Sequence, residues 1–349
     1  KIFRRATLAS IITSTYPMIV VGCYFGVTPW NMNRLSIDES DLSFAILLFG
    51  IFFIISNQIA GRILVPKYGT KLIMSLAFPL VTFSTLLSIV SPSYFYFLLT
   101  SIPAGIGWGA SGPIGGIHTQ LIEQHFKKII TPYYAMGFNL GILIGGGLAG
   151  IIMRYNYEPY IFLTILSFLS IFISFFVFSF GLPRNLDFKG VGEKFKIPET
   201  NVLLFGFLLF FVFGSGGIIM DWSTLWLSKD LNAPLYLASM GLIFFSIGAI
   251  FANLFSNSLI NLFSEKVVGC HFVMIGASIM LLSLLTNNFY IILVVLSFYG
   301  FAIANLVPIV IRQAVKQSNE SIPMTVTNLI TIGLSSTMIM PAGIGFLAE

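Results

Sequence analysis

The chain has 349 residues, of which 56% are hydrophobic and only 9% charged, with a mean hydropathy of +0.94 and a formal net charge of +5. A soluble domain carries about 25% charged residues, so this balance excludes one and indicates an integral membrane protein. Apolar runs of about 20 residues recur along the chain, whereas a transmembrane barrel would show shorter alternating segments; the fold class is therefore an all-α polytopic membrane protein.

In chain order, Lys1, Arg4 and Arg5 precede a first span over about Thr7 to Trp30, too long for a cleavable signal peptide. An acidic connection with Asp38, Glu39 and Asp41 leads to span 2, ending near Ala60. The loop Gly61 to Lys71 is glycine-rich and basic: Pro66 ends the helical register, and Arg62, Lys67 and Lys71 suit a cytoplasmic surface. Span 3 runs from about Leu72 to Val90 and the turn Ser91-Pro92-Ser93 follows. Span 4 starts near Tyr94, is expected to be interrupted by its Gly, Pro and Trp residues, and ends near Glu123. Spans 5 and 6 cover about Thr131 to Met153 and Tyr160 to Phe180. The polar stretch 181–200, with Arg184, Asp187, Lys189, Glu193, Lys194, Lys196 and Glu199, reads as a cytoplasmic linker.

Five further spans follow: Asn201 to Leu227, Leu237 to Leu262, Val268 to Leu285, Phe289 to Ala314 and Pro323 to Leu347. Every Lys and Arg except Arg34, Arg154 and Lys229 then falls on the side of the N-terminus, which places that side in the cytoplasm. Eleven spans leave the chain ending outside, so a twelfth is expected to be missing and both ends read as clipped. The segment Ser256 to Lys266 aligns with the basic loop, setting Ser264 against Gly69 and Lys266 against Lys71. A second echo sets Gly217 to Trp222 against Gly26 to Trp30. Internal repetition of this kind accompanies two bundles that rock about a central site. The expected organisation is an N-terminal six-helix bundle over 1–180, the linker, and a C-terminal bundle over 201–349 with five of its six helices.

Spans 3, 6 and 9 carry little but apolar, Ser and Thr residues and are expected to face lipid. Spans 1, 4, 7 and 10 carry polarity at membrane depth: Trp30 and Asn31, His118 and Gln120, Asp221 and Trp222, and Asn305. A carboxylate such as Asp221 is costly there unless it meets water, a partner or a proton. It reads either as a substrate or proton site or as a helix end anchored by Trp222 and Trp226. His118 is either a buried hydrogen-bonding group or a titrating one, with the former the commoner case. Glu123 suits a cytoplasmic gate, pairing with Arg62, Lys67 or Lys71. Cys23 and Cys270 read as packing residues. There is no metal, nucleotide or hydrolase motif, so no cofactor, no metal, no nucleic acid and no enzyme activity is expected.

The loop spelling Gly61-Arg62-Ile63-Leu64-Val65-Pro66-Lys67-Tyr68-Gly69-Thr70-Lys71 resembles the signature loop between helices 2 and 3 of the major facilitator superfamily. Leu64, Lys67, Gly69 and Lys71 stand on pattern positions, and Pro66 replaces its aspartate, an acid Glu123 is the nearest candidate to supply. Gly137-Phe138-Asn139-Leu140-Gly141-Ile142-Leu143-Ile144-Gly145-Gly146 resembles that family's antiporter motif with Ile142 for its proline; here helix packing is the favoured reading. Asp221-Trp222-Ser223-Thr224-Leu225-Trp226-Leu227 resembles a D-W-S stretch on helix 7 of a branch of bacterial inner-membrane facilitators. The resemblance implies two pseudo-symmetric bundles and a monomeric secondary transporter in a bacterial inner membrane. A small organic solute would bind between spans 1, 4, 7 and 10 at Trp30, Asn31, Asn139, Asp221, Trp222 and Asn305. Coupling or gating would fall to Asp221, His118, Glu123, Arg62, Lys67 and Lys71, with the proton as candidate coupling ion. An uncoupled facilitator of the same fold and a transport-inactive sensor or scaffold are the alternatives.

Overall fold

A backbone crossing hydrocarbon must satisfy its own polar groups, and in the computed structural model the apolar runs do so as helices throughout. It describes residues 1–188 and 197–348; Lys189, Glu193, Lys194 and Lys196 of the expected linker lie outside the described residues. The order is α1 (Ile2–Gly26), α2 (Thr28–Leu35), α3 (Glu39–Ile59), a π-helical turn (Ala60–Leu64), α4 (Val65–Tyr68), α5 (Thr70–Val90), α6 (Tyr94–Phe126), α7 (Thr131–Arg154) and α8 (Pro159–Phe180). After the linker come α9 (Thr200–Lys229), α10 (Leu235–Ala238), α11 (Met240–Leu254), α12 (Ser256–Lys266), a second π turn (Val267–His271), α13 (Phe272–Leu284), α14 (Phe289–Ala304), α15 (Leu306–Gln317) and α16 (Ile322–Ala348).

Local chemistry sets the ends. Asp38 and Asp41 form a capping box at the start of α3, Asn288 accepts the first free amides of α14, and Lys127 closes α6 in the left-handed region. Ten helical stretches among the described residues are long and apolar enough to cross a membrane. α6, the expected fourth span, is longer than any of these at 33 residues, but glycine and polar side chains dilute it. It corrects the expected interruption: Pro103 and Pro113 sit inside one unbroken helix, since neighbouring helices shield the freed carbonyls that water would otherwise compete for.

The packing pattern of the first half recurs in the second. α1 packs on α7 as α9 packs on α16, α3 on α6 as α11 on α14, and α5 on α6 as α13 on α14. The aligned turns share one backbone geometry, Gly69 at φ 83°, ψ 162° and Ser264 at φ 73°, ψ 156°. The two halves meet through α7 on α11 and α3 on α16.

Glycine faces make the seams. A Cβ on Gly137, Gly141 or Gly145 of α7 would run into α1 at Ser14, Thr15 or Ile19, so the glycine run is a packing surface on which two backbones approach closely. Gly105 and Gly109 of α6 lie against α3 and Gly107 against α5.

Outward faces divide less simply than the polarity suggested. The apolar windows of α8 and of the α12–α13 stretch are only 22% buried, with Phe172 71% and Met274 69% exposed. α5, expected to face lipid with them, is 61% buried. Its small polar residues explain the difference: Thr82 bonds Ser170 of α8 and Ser88 bonds Thr100 of α6, contacts worth about 1 kcal/mol in a helix bundle.

Candidate functional site

Where the two halves meet, the helices leave a central cavity of about 360 Å³, within the range of small-molecule sites. α1, α3, α6, α7, α9, α11, α14, α15 and α16 wall it, α5 contributes Thr85 and Ser88, and α2 contributes Thr28.

The wall is largely aromatic and aliphatic. Tyr24, Phe25, Phe49, Trp108, Tyr134 and Phe138 face in from the first half, and Phe213 and Phe245 from the second. Many wall hydroxyls are turned back on their own helices: Thr13 donates to Ala9 O at 2.7 Å, Ser14 to Ile11 O at 2.9 Å and Thr119 to Gly115 O at 2.8 Å. Such bonds satisfy the hydroxyl at membrane depth and leave it little to offer a solute.

Asp221 is the one carboxylate among the described residues that line the cavity, and no Lys or Arg lines it. It has no hydrogen bond or ion pair among the described residues, and Tyr24 of α1 lies within its electrostatic reach. Asn139 also lines the cavity, its amide donating to Ala135 O at 3.0 Å.

The other four expected contacts lie outside the wall. Trp30 packs against the cluster between α1, α5 and α8 with the Arg34 guanidinium 5.6 Å over its ring. Asn31 is buried and accepts from Arg34 Nη2 at 2.8 Å, while Arg34 Nη1 donates to Ser91 O at 2.7 Å. Trp222 turns away to donate to Pro341 O at 2.9 Å. Asn305 sits at the bend between α14 and α15 and donates to Ala252 O at 2.9 Å, fastening that bend to α11. Trp222 shares α9 with Asp221 but not its phase, Trp30 and Asn31 fall on the separate short helix α2, Asn305 falls at a bend, and the aromatic wall reads as ordinary core in the sequence.

Contacts between the halves occur at both ends of the bundle. At the end away from the N-terminus, Glu39 pairs with Lys229, and α2 packs on α9. At the N-terminal end Arg62, 6% exposed, donates to Gln58 Oε1 at 2.6 Å and across the interface to Asn328 Oδ1 at 2.9 Å. Gln58 Nε2 donates to Thr331 Oγ1 at 2.5 Å, and Asn328 in turn donates to Glu320 Oε2 at 3.1 Å.

The remaining gate candidates act within the first half. Glu123 does not pair with Arg62, Lys67 or Lys71; its Oε1 accepts from the amides of Ile130 and Thr131 at 2.6 and 2.7 Å and from the Thr131 hydroxyl at 2.8 Å. A carboxylate one short loop before a helix start is captured by that start's free amides. The acid beside the basic loop is instead Asp187, which accepts from Thr70 N at 2.7 Å and Thr70 Oγ1 at 3.0 Å. Lys67 lies 5.0 Å over the Tyr68 ring and Lys71 4.4 Å over Phe178.

His118 is fully buried between α1, α6 and the linker. Leu182 N donates to its Nε2 at 3.1 Å, and Nδ1 lies 2.7 Å from Ser10 Oγ. An amide can only donate, so Nε2 is bare and the neutral ring carries its proton on Nδ1 toward Ser10.

A family model described as the Major Facilitator Superfamily matches residues 7–348. An uncharacterised MFS-type transporter of Yersinia pestis is 21% identical over 333 residues, covering 93% of this chain and 84% of that protein. Among solved structures, a bacterial homologue of the human lysosomal transporter Spinster, inward-facing and unoccupied, superposes with a TM-score of 0.72 at 13% identity, over 100% of this chain and 83% of that one. The human organic anion transporter MFSD10 does so with a TM-score of 0.74 at 13% identity, over 98% and 93%. At such identities these structures share the fold alone.

Proposed function

The chain belongs to the major facilitator superfamily, and from that premise we propose a secondary transporter that carries a small organic solute across a bacterial inner membrane by alternating access. The observation that carries this reading is the cavity of about 360 Å³ at the meeting of the two halves, bounded by different contacts at its two ends. Residues 1–180 and 201–349 would act as two rigid bundles, eleven passes with α6 included, working as a monomer with the N-terminal face in the cytoplasm.

Rocking would break one set of end contacts while the other set stays formed. Opening away from the N-terminus separates Glu39 from Lys229; opening toward it separates Arg62 from Asn328. Of the three basic gate candidates, Arg62 is the one assigned to the gate. His118, which accepts from the Leu182 amide, is assigned to anchoring the linker. Asp221 is assigned to coupling, because an unpartnered carboxyl in the cavity is where a proton or a solute charge is bound and released.

The test is flux in proteoliposomes of a solute chosen by thermal-shift screening of the purified protein. Wild type is expected to accumulate or expel it when a pH gradient is imposed, and Asp221→Asn to equilibrate it without response to the gradient. Saturable binding with no flux in sealed vesicles would show a sensor instead. Flux indifferent to the gradient in both proteins would show an uncoupled facilitator.

A further inference from the structure

We propose, building on the transporter reading above, that the solute is an amphipathic organic molecule carrying a single positive charge, with Asp221 as its counter-charge and the aromatic wall as the bed for its apolar body.

Charge in the cavity is lopsided. Asp221 has no hydrogen bond or ion pair among the described residues, and the basic residues on the side away from the N-terminus are already engaged, Lys229 by Glu39, Arg34 by Asn31 and Ser91, and Arg154 over the Tyr236 ring. A carboxylate held in low dielectric without a cation is unfavourable, and an organic cation removes that cost when it binds. An anion would add a second negative charge to the same cavity.

The wall of the cavity that Asp221 lines fits such a cation. Phe25, Trp108, Phe138 and Met220 pack against one apolar cluster that joins α1, α5, α7 and α11, and Tyr24 lies beside Phe25 with ring centroids 5.8 Å apart. Aromatic faces attract cations, most strongly where water is excluded. A sugar-like solute would need several free donors and acceptors, whereas Thr13, Ser14 and Thr119 spend their protons on backbone carbonyls. A metal ion needs several ligands, and no group of three His, Cys, Asp or Glu able to hold one occurs among the described residues.

The experiment is equilibrium binding of three monovalent aromatic cations of increasing size, phenyltrimethylammonium, ethidium and tetraphenylphosphonium, to the purified full chain. Tetraphenylborate, the anionic isostere of tetraphenylphosphonium, is the control. At least one cation is expected to bind saturably and tetraphenylborate not to bind. Asp221→Asn should weaken the cation at least about 30-fold, as for a buried charge pair that loses one member, while Asp221→Glu restores part of the affinity. Melting temperature checks that both variants are folded. Three results each overturn the proposal: no saturable binding of any of the cations, tetraphenylborate binding as tightly as tetraphenylphosphonium, or an affinity that Asp221→Asn changes less than about twofold. Flux of a neutral or anionic solute through wild-type proteoliposomes would overturn the charge assignment while leaving the transporter reading intact.

Discussion

Asp187 and Glu123 show how two carboxylates do the same work across very different spans of sequence. Glu123 stands a short loop ahead of α7 and caps it; Asp187 returns across 117 residues of sequence to cap α5 at Thr70. Only the first distance is readable along the chain, and its place at the cytoplasmic end of span 4 made Glu123 the apparent partner of the basic loop. Asp187→Asn is expected to cost about 1–2 kcal/mol through the lost charged cap, seen as a lower melting temperature. Glu123→Ala should cost a similar amount while leaving any response of flux to a pH gradient unchanged; loss of that response with stability intact would return Glu123 to the gate. Asp221 and Asn139 were legible because a polar residue within an apolar run is conspicuous in one dimension. Trp222 was not, because its indole finds Pro341 O across a helix pair, and no spacing along α9 announces that partner.

The repeat was legible in the sequence, but its two stretches are more helical than expected: Pro66 lies inside α4, so the chain turns at Gly69 and not at the proline, and Ser256 to Lys266 is α12. Ser264 adopts the backbone geometry of Gly69, φ 73° against φ 83°, in a region that glycine enters freely and other residues enter at a cost of about 1–3 kcal/mol. Ser264→Gly is therefore expected to raise the melting temperature. Gly69→Ala should lower it, because its Cβ would also lie 2.6 Å from Asp187 Oδ2. Equal and unchanged melting temperatures would contradict the equivalence of the two turns. The seam between α1 and α7 offers a harsher case: a side chain at Gly141 would meet Thr15 O and Met18, so Gly141→Leu should prevent recovery of monodisperse folded protein, while the neighbouring outward Leu140→Ala is tolerated. The glycine spacing was visible in the sequence, and so was its packing role. What misled was treating Gly and Pro as breaks in α6 and apolarity as lipid exposure in α5. Helices sheltered by neighbours tolerate both residues, and small hydroxyls let helices interlock without any charge to signal it.

At the scale of the whole molecule, the chain is two similarly packed groups of helices joined by α3 on α16 and α7 on α11, with a cavity between them. The all-helical membrane architecture was fixed by composition, since runs of this length and apolarity have no other stable form in a bilayer. The cavity wall was less legible, because an aromatic facing a cavity and one facing a core look the same in sequence. The central claim is that the two ends of that cavity open alternately. Double electron–electron resonance on spin-label pairs in a Cys23→Ala, Cys270→Ser background tests it directly, one pair at positions 39 and 229, where Glu39 meets Lys229, and the other at 58 and 331, where Gln58 meets Thr331. The account predicts two distance populations for each pair, with conditions that lengthen one pair shortening the other. Single, unchanging distances at both ends, or distances that lengthen together, would contradict it.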